Sequence, residues 1–159
     1  MQQATLHTES SLHDPDSLTA LLARQRAAFR QHPKSDAKYR IARLQALENA
    51  LLRHQDILAQ AISDDFGHRS ADEFKLAELL YTLQGIKYCI KHIPTWMKPE
   101  KRHVPMLQAP GKAHVHYQPL GVVGIVVPWN YPIYLSVGPL MYAILFCSFL
   151  LVAVFLERC

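Results

Sequence analysis

Apolar and polar positions divide this chain into an amphipathic front and an uncharged back. Through residues 18–97, apolar side chains recur at three- and four-residue spacing, which predicts helices with one buried face. From Ala113 to Leu156 the sequence contains no Asp, Glu, Lys or Arg. The back therefore has the pattern of buried strands and apolar segments, and the charged residues belong almost wholly to the helical front.

Four helices are predicted in the front. Ser35 caps the second, a separate third piece runs from about His54 to Phe66, and Gly67 ends it in a left-handed conformation. Ser70 begins the fourth and longest helix, where Glu73 completes a capping box. Two neighbouring apolar faces are expected on this fourth helix, one with Phe74, Ala77, Leu80, Tyr81, Gln84 and Tyr88 and one with Leu76, Leu79, Leu83, Ile86 and Ile90.

A continuous apolar run from Gly121 to Val127 is the most informative stretch of the back. It fits a strand buried on both faces, as in a parallel sheet covered by helices, and Pro128 ends it. A Trp, an Asn and a second Pro follow at once, and open α/β sheets bind ligands at such strand ends. Spacing alone favours Asn130 as a residue that closes the turn by bonding its own backbone, with a ligand-facing amide as the alternative.

Charge and composition narrow the function classes only slightly. The formal net charge is +4, and Lys98, Lys101, Arg102 and His103 form a basic cluster without interleaved aromatics, so we expect a solvated connector and no nucleic-acid partner. His114 and His116 alternate along a predicted strand with no carboxylate or cysteine beside them, which favours surface histidines over a metal site.

Cysteine usage and the start of the chain point to a reducing, cytoplasmic location. The three cysteines form no CxxC pair, and residues 1–17 lack the apolar segment of a signal peptide, so these residues are expected to be a mobile tail.

The segment from Gln118 to Leu140, which reads QPLGVVGIVVPWNYPIYLSVGPL, resembles the aldehyde dehydrogenase superfamily. Residues 62–70 and 91–99 resemble the same family, and the details are most similar to its class-3-like branch and the coniferyl aldehyde dehydrogenases within it. The resemblance covers about Leu18 to Leu140. It implies an incomplete α/β fold, with the amino-terminal helices and first strands of a Rossmann-like coenzyme domain.

The resemblance also implies an activity and a site. Family enzymes oxidise an aldehyde to a carboxylic acid with NAD or NADP and form homo-oligomers, and the substrate here would be coniferyl or another aromatic or long-chain aldehyde. Asn130 matches the asparagine that stabilises the oxyanion. Val126, Val127, Pro128 and Trp129 match positions that line the cofactor cleft. Tyr131 and Tyr134 would shape the substrate tunnel.

Residues 141–159 depart from the family pattern as a divergent apolar tail. No counterpart of the nucleophilic cysteine or the general-base glutamate is found, because Cys89, Cys147 and Cys159 lie in no matching motif. A frame shift near Leu140 is the simplest explanation. We therefore expect a truncated chain that is inactive and binds no NAD measurably, with both edges of the 121–127 strand open.

Two other interpretations of the chain's function stay open. The uncharged run 133–156 is long enough to anchor a helical protein in a membrane, although Gly138 and Pro139 interrupt it. The front could also be a helical binding module without catalysis. The expected organisation is a tail (1–17), a helical part (18–97), a connector and strand (98–120), a strand with the Asn-bearing turn (121–140), and the divergent tail (141–159).

Overall fold

The computed structural model describes residues 15–119, 121–146 and 149–154. Most of the predicted mobile tail therefore lies outside the described residues. Helix α1 (Pro15–Gln31) nevertheless begins within residues 1–17, so the last three of these belong to a helix rather than to a tail.

Helix α2 (Ala37–Phe66) is one uninterrupted helix of 30 residues. The Asp36 carboxylate caps it by accepting the N–H of Tyr39 at 2.7 Å, and Gly67 ends it with φ 63°. The stop at Gly67 is confirmed. The prediction of a cap at Ser35 is wrong, because Asp36 caps the helix. The predicted break near His54 is also wrong, because no Gly or Pro interrupts the apolar stripe there.

The next helical rod runs in three parts: α3 (Ala71–Glu73), a π-helical segment (Phe74–Leu79) and α4 (Leu80–Trp96). Ser70 caps it through the N–H of Asp72 rather than through a box with Glu73. The rod is shorter than α2 and buries one face, not two. The buried residues are Phe74, Glu78, Leu79, Thr82, Ile86, Cys89 and Ile93, whereas Leu76, Leu80, Tyr81 and Tyr88 are exposed.

Two small sheets follow. Strands β1 (Glu100–Arg102) and β2 (Ala113–Val115) pair antiparallel, with Lys101 opposite His114. Strand β3 (Val122–Val127) pairs parallel with β4 (Phe149–Val154), and helix α5 (Pro132–Phe146) connects them. This is a strand–helix–strand unit. The expectation that both edges of the 121–127 strand are open is wrong, because β4 covers one of them.

Strand β3 is buried on one face only. Ile125 and Val127 pack with Ala143 of α5, but Val126, which points the other way, is 73% exposed. The prediction of burial on both faces is therefore wrong for the described residues, since α5 covers a single face of the sheet.

Helix α5 joins the helical front to the sheet. Val137, Met141 and Leu145 belong to the main core with residues of α2 and α4, while Ala143 faces the sheet. The buried Arg40 of α2 donates a hydrogen bond to the Leu145 carbonyl near the end of α5. Met141 and Leu145, in the segment predicted as a divergent tail, thus contribute to the main core.

None of the helices in the described ranges has the length and apolar character that membrane crossing requires. Within the uncharged run 133–156, residues 133–146 belong to α5 and residues 149–154 to β4.

Shortening a core side chain of α4 should destabilise the chain strongly. Ile86 is fully buried, so Ile86→Ala should lower the free energy of unfolding by about 2–5 kcal/mol. Leu76→Ala, on the exposed face of the same rod, is the matched control and should change it by no more than about 0.5 kcal/mol. Urea midpoints measure both, and equal losses would contradict this assignment of the buried face.

Candidate functional site

The turn that carries Asn130 lies between the end of β3 and the start of α5. Asn130 is exposed, and its side-chain amide makes no hydrogen bond to any residue in the described ranges. Its backbone carbonyl instead accepts a hydrogen bond from Arg69 Nη1 at 2.8 Å. The turn is therefore held from outside by its main chain, and the carboxamide does not close the turn on itself.

A buried carboxylate holds the helix that follows the turn. Glu78 Oε2 accepts the backbone N–H groups of Ile133 and Tyr134, at 2.8 and 3.1 Å. The Glu78 side chain is 1% exposed. Pro132, the first residue of α5, has no N–H. One carboxylate thus satisfies the free donors of the first turn and places negative charge at the positive end of the helix dipole.

Arg69 joins this carboxylate to the turn. Its Nη1 lies 3.7 Å from Glu78 Oε1, and its side chain is only 14% exposed. The guanidinium lies over the Phe66 ring at 4.1 Å from the ring centroid and over the Tyr131 ring at 5.0 Å. Its Nε also lies 3.7 Å from Glu73 Oε1, and these contacts together with the Asn130 carbonyl fix the orientation of this cation.

The chain reaches Arg69 through two consecutive residues with positive φ, Gly67 at 63° and His68 at 84°. A non-glycine residue rarely adopts this conformation. The reversal turns the chain from the end of α2 toward the start of α5.

Val126, Val127, Pro128 and Trp129, which the family resemblance assigns to a cofactor cleft, lie together at this strand end. Their side chains differ in solvent exposure. Val126 and Pro128 are exposed and Trp129 is 47% exposed, whereas Val127 is buried in the sheet core. Val127 can therefore contribute only main-chain groups. Tyr134 packs edge-to-face with Tyr81 at 6.5 Å, and Tyr131 packs with Arg69.

Arg69 and Glu78 were not among the residues predicted for the site. Arg69 was noted only as part of a similar loop, and Glu78 was not singled out. One signal was available: Glu78 lies four residues after Phe74 and four before Thr82, so a carboxylate occupies the middle of an apolar helix stripe. Such residues are almost never fully buried unless they are paired.

The remaining candidate groups are Cys89, His114 and His116. Cys89 is fully buried on α4, and burial raises the pKa of its thiol above the ordinary value of 9.0. The exposed rings of His114 and His116 have centroids 6.4 Å apart. Across the described ranges, no three His, Cys, Asp or Glu side chains are grouped so that they could hold a metal ion.

A short parallel strand, a turn with an unengaged amide and a helix capped by a buried carboxylate form part of an incomplete α/β domain. Residues 3–152 match the model of the aldehyde dehydrogenase family, and the chain belongs to that family. The matched range extends past Leu140, where the resemblance was expected to end.

Two curated proteins similar to this chain support its assignment to the family. A Pseudomonas aeruginosa protein named as a probable coniferyl aldehyde dehydrogenase is 48% identical over 134 residues, which are 84% of this chain and 28% of that protein. The coniferyl aldehyde dehydrogenase of a Pseudomonas species is 36% identical, over 79% of this chain and 26% of its own length. The chain thus spans about a quarter of the length of these curated relatives.

Solved structures show the same fold. Staphylococcus aureus AldH, in a substrate-bound state, superposes with a TM-score of 0.78 and 25% identity over 86% of this chain and 29% of that one. Betaine aldehyde dehydrogenase from the same organism gives 0.75 at 19% identity, covering 87% and 27%. The described residues form an incomplete α/β fold of the aldehyde dehydrogenase type.

The buried Cys89 thiol should react slowly. In a Cys147→Ser/Cys159→Ser chain, alkylation at pH 8 should be at least about tenfold slower in the native state than in urea, since burial disfavours the reactive thiolate. Because the pKa is raised, the native rate should still increase with pH above 9.0, where the rate of an ordinary thiol levels off. Rapid native labelling at pH 8 would show that Cys89 is accessible and activated.

Proposed function

We propose that this chain supplies the oxyanion-binding amide and part of the cofactor-facing wall of an NAD(P)-dependent aldehyde dehydrogenase. The reaction is oxidation of an aldehyde to a carboxylic acid. The observation that carries the proposal is the Asn130 amide, which is exposed and unengaged while its own backbone is fixed by Arg69.

A neutral amide suits this role. When a thiolate attacks an aldehyde carbonyl, the carbonyl oxygen becomes an anion that needs a fixed hydrogen-bond donor. The carboxamide of Asn130 has two N–H donors and does not compete as a base. Because the turn is already held, little reorganisation is needed when the charge forms, which is the condition for effective electrostatic catalysis.

The surroundings of Asn130 fit a dinucleotide cofactor. Val126 and Trp129 expose apolar surface at the carboxyl end of a parallel strand, which is where α/β sheets bind such groups. Val126, Pro128 and Trp129 would contact NAD(P), with Val127 contributing main-chain groups. NAD(P), when bound, accepts the hydride that leaves the substrate. The residues of this chain hold the oxyanion donor beside that surface.

The substrate class is proposed from the relatives. Two Pseudomonas proteins similar to this chain carry names that specify coniferyl aldehyde, which makes an aromatic aldehyde the first candidate. Neither a cysteine in the expected motif nor a general-base glutamate is recognisable in the sequence, and Cys89 is buried. We therefore expect the 159-residue chain by itself not to oxidise aldehydes.

An exchange experiment tests the role of Asn130. Residues 18–140 of this chain replace the matching segment of the P. aeruginosa relative, and oxidation of coniferyl aldehyde is followed by the absorbance of the reduced cofactor. In this exchanged enzyme Asn130→Ala should lower kcat by about 10²–10³ with little change in cofactor KM.

The matched control is Asn49→Ala, an exposed asparagine on α2, which should leave kcat unchanged. If Asn130→Ala keeps kcat within about threefold, a loss too small for an oxyanion donor, the proposed function is wrong.

The 159-residue chain should not bind NAD measurably by itself. The dinucleotide crevice of an α/β sheet is built by several strands, and the described residues supply two parallel ones. Titration to millimolar NAD should give no saturable change in Trp129 fluorescence, with Trp129→Phe as the control that isolates the Trp96 signal. A saturable change that disappears in Trp129→Phe would contradict this expectation.

A further inference from the structure

We propose that Glu78 and Arg69 are positioning residues for Asn130. Glu78 fixes the start of α5, and Arg69 fixes the backbone carbonyl of Asn130, so that the Asn130 carboxamide is available to a ligand. This inference rests on the proposed function, because the positioned group is the proposed oxyanion donor.

Helix α5 is capped by Glu78 and not by Asn130. The Tyr131 carbonyl accepts the first intrahelical hydrogen bond, from the N–H of Leu135 at 3.0 Å, so Asn130 lies one residue before the capping position. Asparagine near a helix start commonly uses its side chain to satisfy the free N–H groups. Here Glu78 satisfies the N–H groups of Ile133 and Tyr134 from another helix. Asn130 is thereby released from a structural role.

The Asn130 carbonyl is held by a donor that is itself restrained. A carbonyl in an exposed turn is held firmly only if its donor is itself fixed. Arg69 meets this condition, because its guanidinium lies 3.7 Å from Glu78 Oε1 and packs against the rings of Phe66 and Tyr131. Tyr131 follows Asn130 in sequence, so Arg69 contacts the turn at two successive residues.

Glu78 is a buried carboxylate in an irregular part of its helix. It lies in the π-helical segment Phe74–Leu79, a rare geometry that recurs at functional sites. Its carboxylate is enclosed in the helical core, and a buried charge is tolerated only where partners of opposite polarity compensate it. Those partners are the N–H groups in the first turn of α5, which follows Asn130 in sequence, and the Arg69 guanidinium, which bonds the Asn130 carbonyl.

The test has a structural arm and a kinetic arm. In the 159-residue chain, hydrogen exchange at the amides of Ile133 and Tyr134 should quicken about tenfold or more in Glu78→Leu, because both N–H groups lose their acceptor. Glu78→Gln keeps an acceptor of the same shape and should restore most of the protection. Glu73→Gln is the matched control, because Glu73 also lies 3.7 Å from Arg69 but is half-exposed and does not contact α5.

The kinetic arm uses the exchanged enzyme. Glu78→Leu and Arg69→Lys should each lower kcat about tenfold or more while aldehyde KM changes little, because a displaced donor weakens transition-state contacts more than substrate binding. Glu78→Gln should recover most of the kcat, and Glu73→Gln should keep it. A loss of thermal stability without a fall in kcat would indicate a merely structural role and would overturn the inference.

The outcomes separate the two proposals. If Asn130→Ala lowers kcat but Glu78→Leu and Arg69→Lys do not, the positioning role is wrong and the oxyanion role stands. If Asn130→Ala has no effect, the proposed function fails, and unchanged exchange at Ile133 and Tyr134 would independently reject the role of Glu78. Should Glu78→Leu not fold, Arg69→Lys decides, because it leaves the α5 cap in place.

Discussion

The contact between the buried Glu78 carboxylate and the first turn of α5 is the constraint on which this structure depends. An uncompensated carboxylate in a core is strongly unfavourable, so the two N–H groups of α5 and the Arg69 cation must stay near it. The same requirement fixes where α5 begins, and hence where β3 must end and how the turn between them runs. Packing alone would leave that turn free to shift, since most of its side chains are exposed.

Helix α5 is oriented by opposite charges at its two ends. Glu78 lies at the N-terminus, where the helix dipole is positive, and the Arg40 guanidinium donates to the Leu145 carbonyl at the C-terminus, where it is negative. Both partners come from the helical front. The helix is also packed on two sides, against the helical core through Met141 and against the sheet through Ala143. The front therefore orients the strand–helix–strand unit, and its helices precede the short segment that carries the site.

Local signals predicted the parts of the fold that local physics decides. The left-handed stop at Gly67 and the end of β3 before Pro128 follow from single residues. Pairing and burial could not be predicted in this way. Nothing near Gly121–Val127 indicates that residues 149–154 pair with it, and the exposure of Val126 depends on which face α5 covers. The long helix was assigned two apolar faces because Leu80 and Tyr81 are apolar, but only a neighbouring element can bury them.

The candidate site, too, has a part that local sequence predicts and a part that it does not. The family motif predicted Asn130 and the strand end as the site. A motif is contiguous in sequence, whereas the groups that hold this turn come from residues 69 and 78. A fixed amide donor is useful only when its distance to the developing oxyanion is accurate, because a small displacement removes most of its effect. An exposed turn with a proline on each side restricts the backbone without aiming the side chain. The ion pair of Arg69 with Glu78 adds a further restraint on the backbone, at the Asn130 carbonyl, and the buried Glu78 charge cannot leave this pair without being left unpaired.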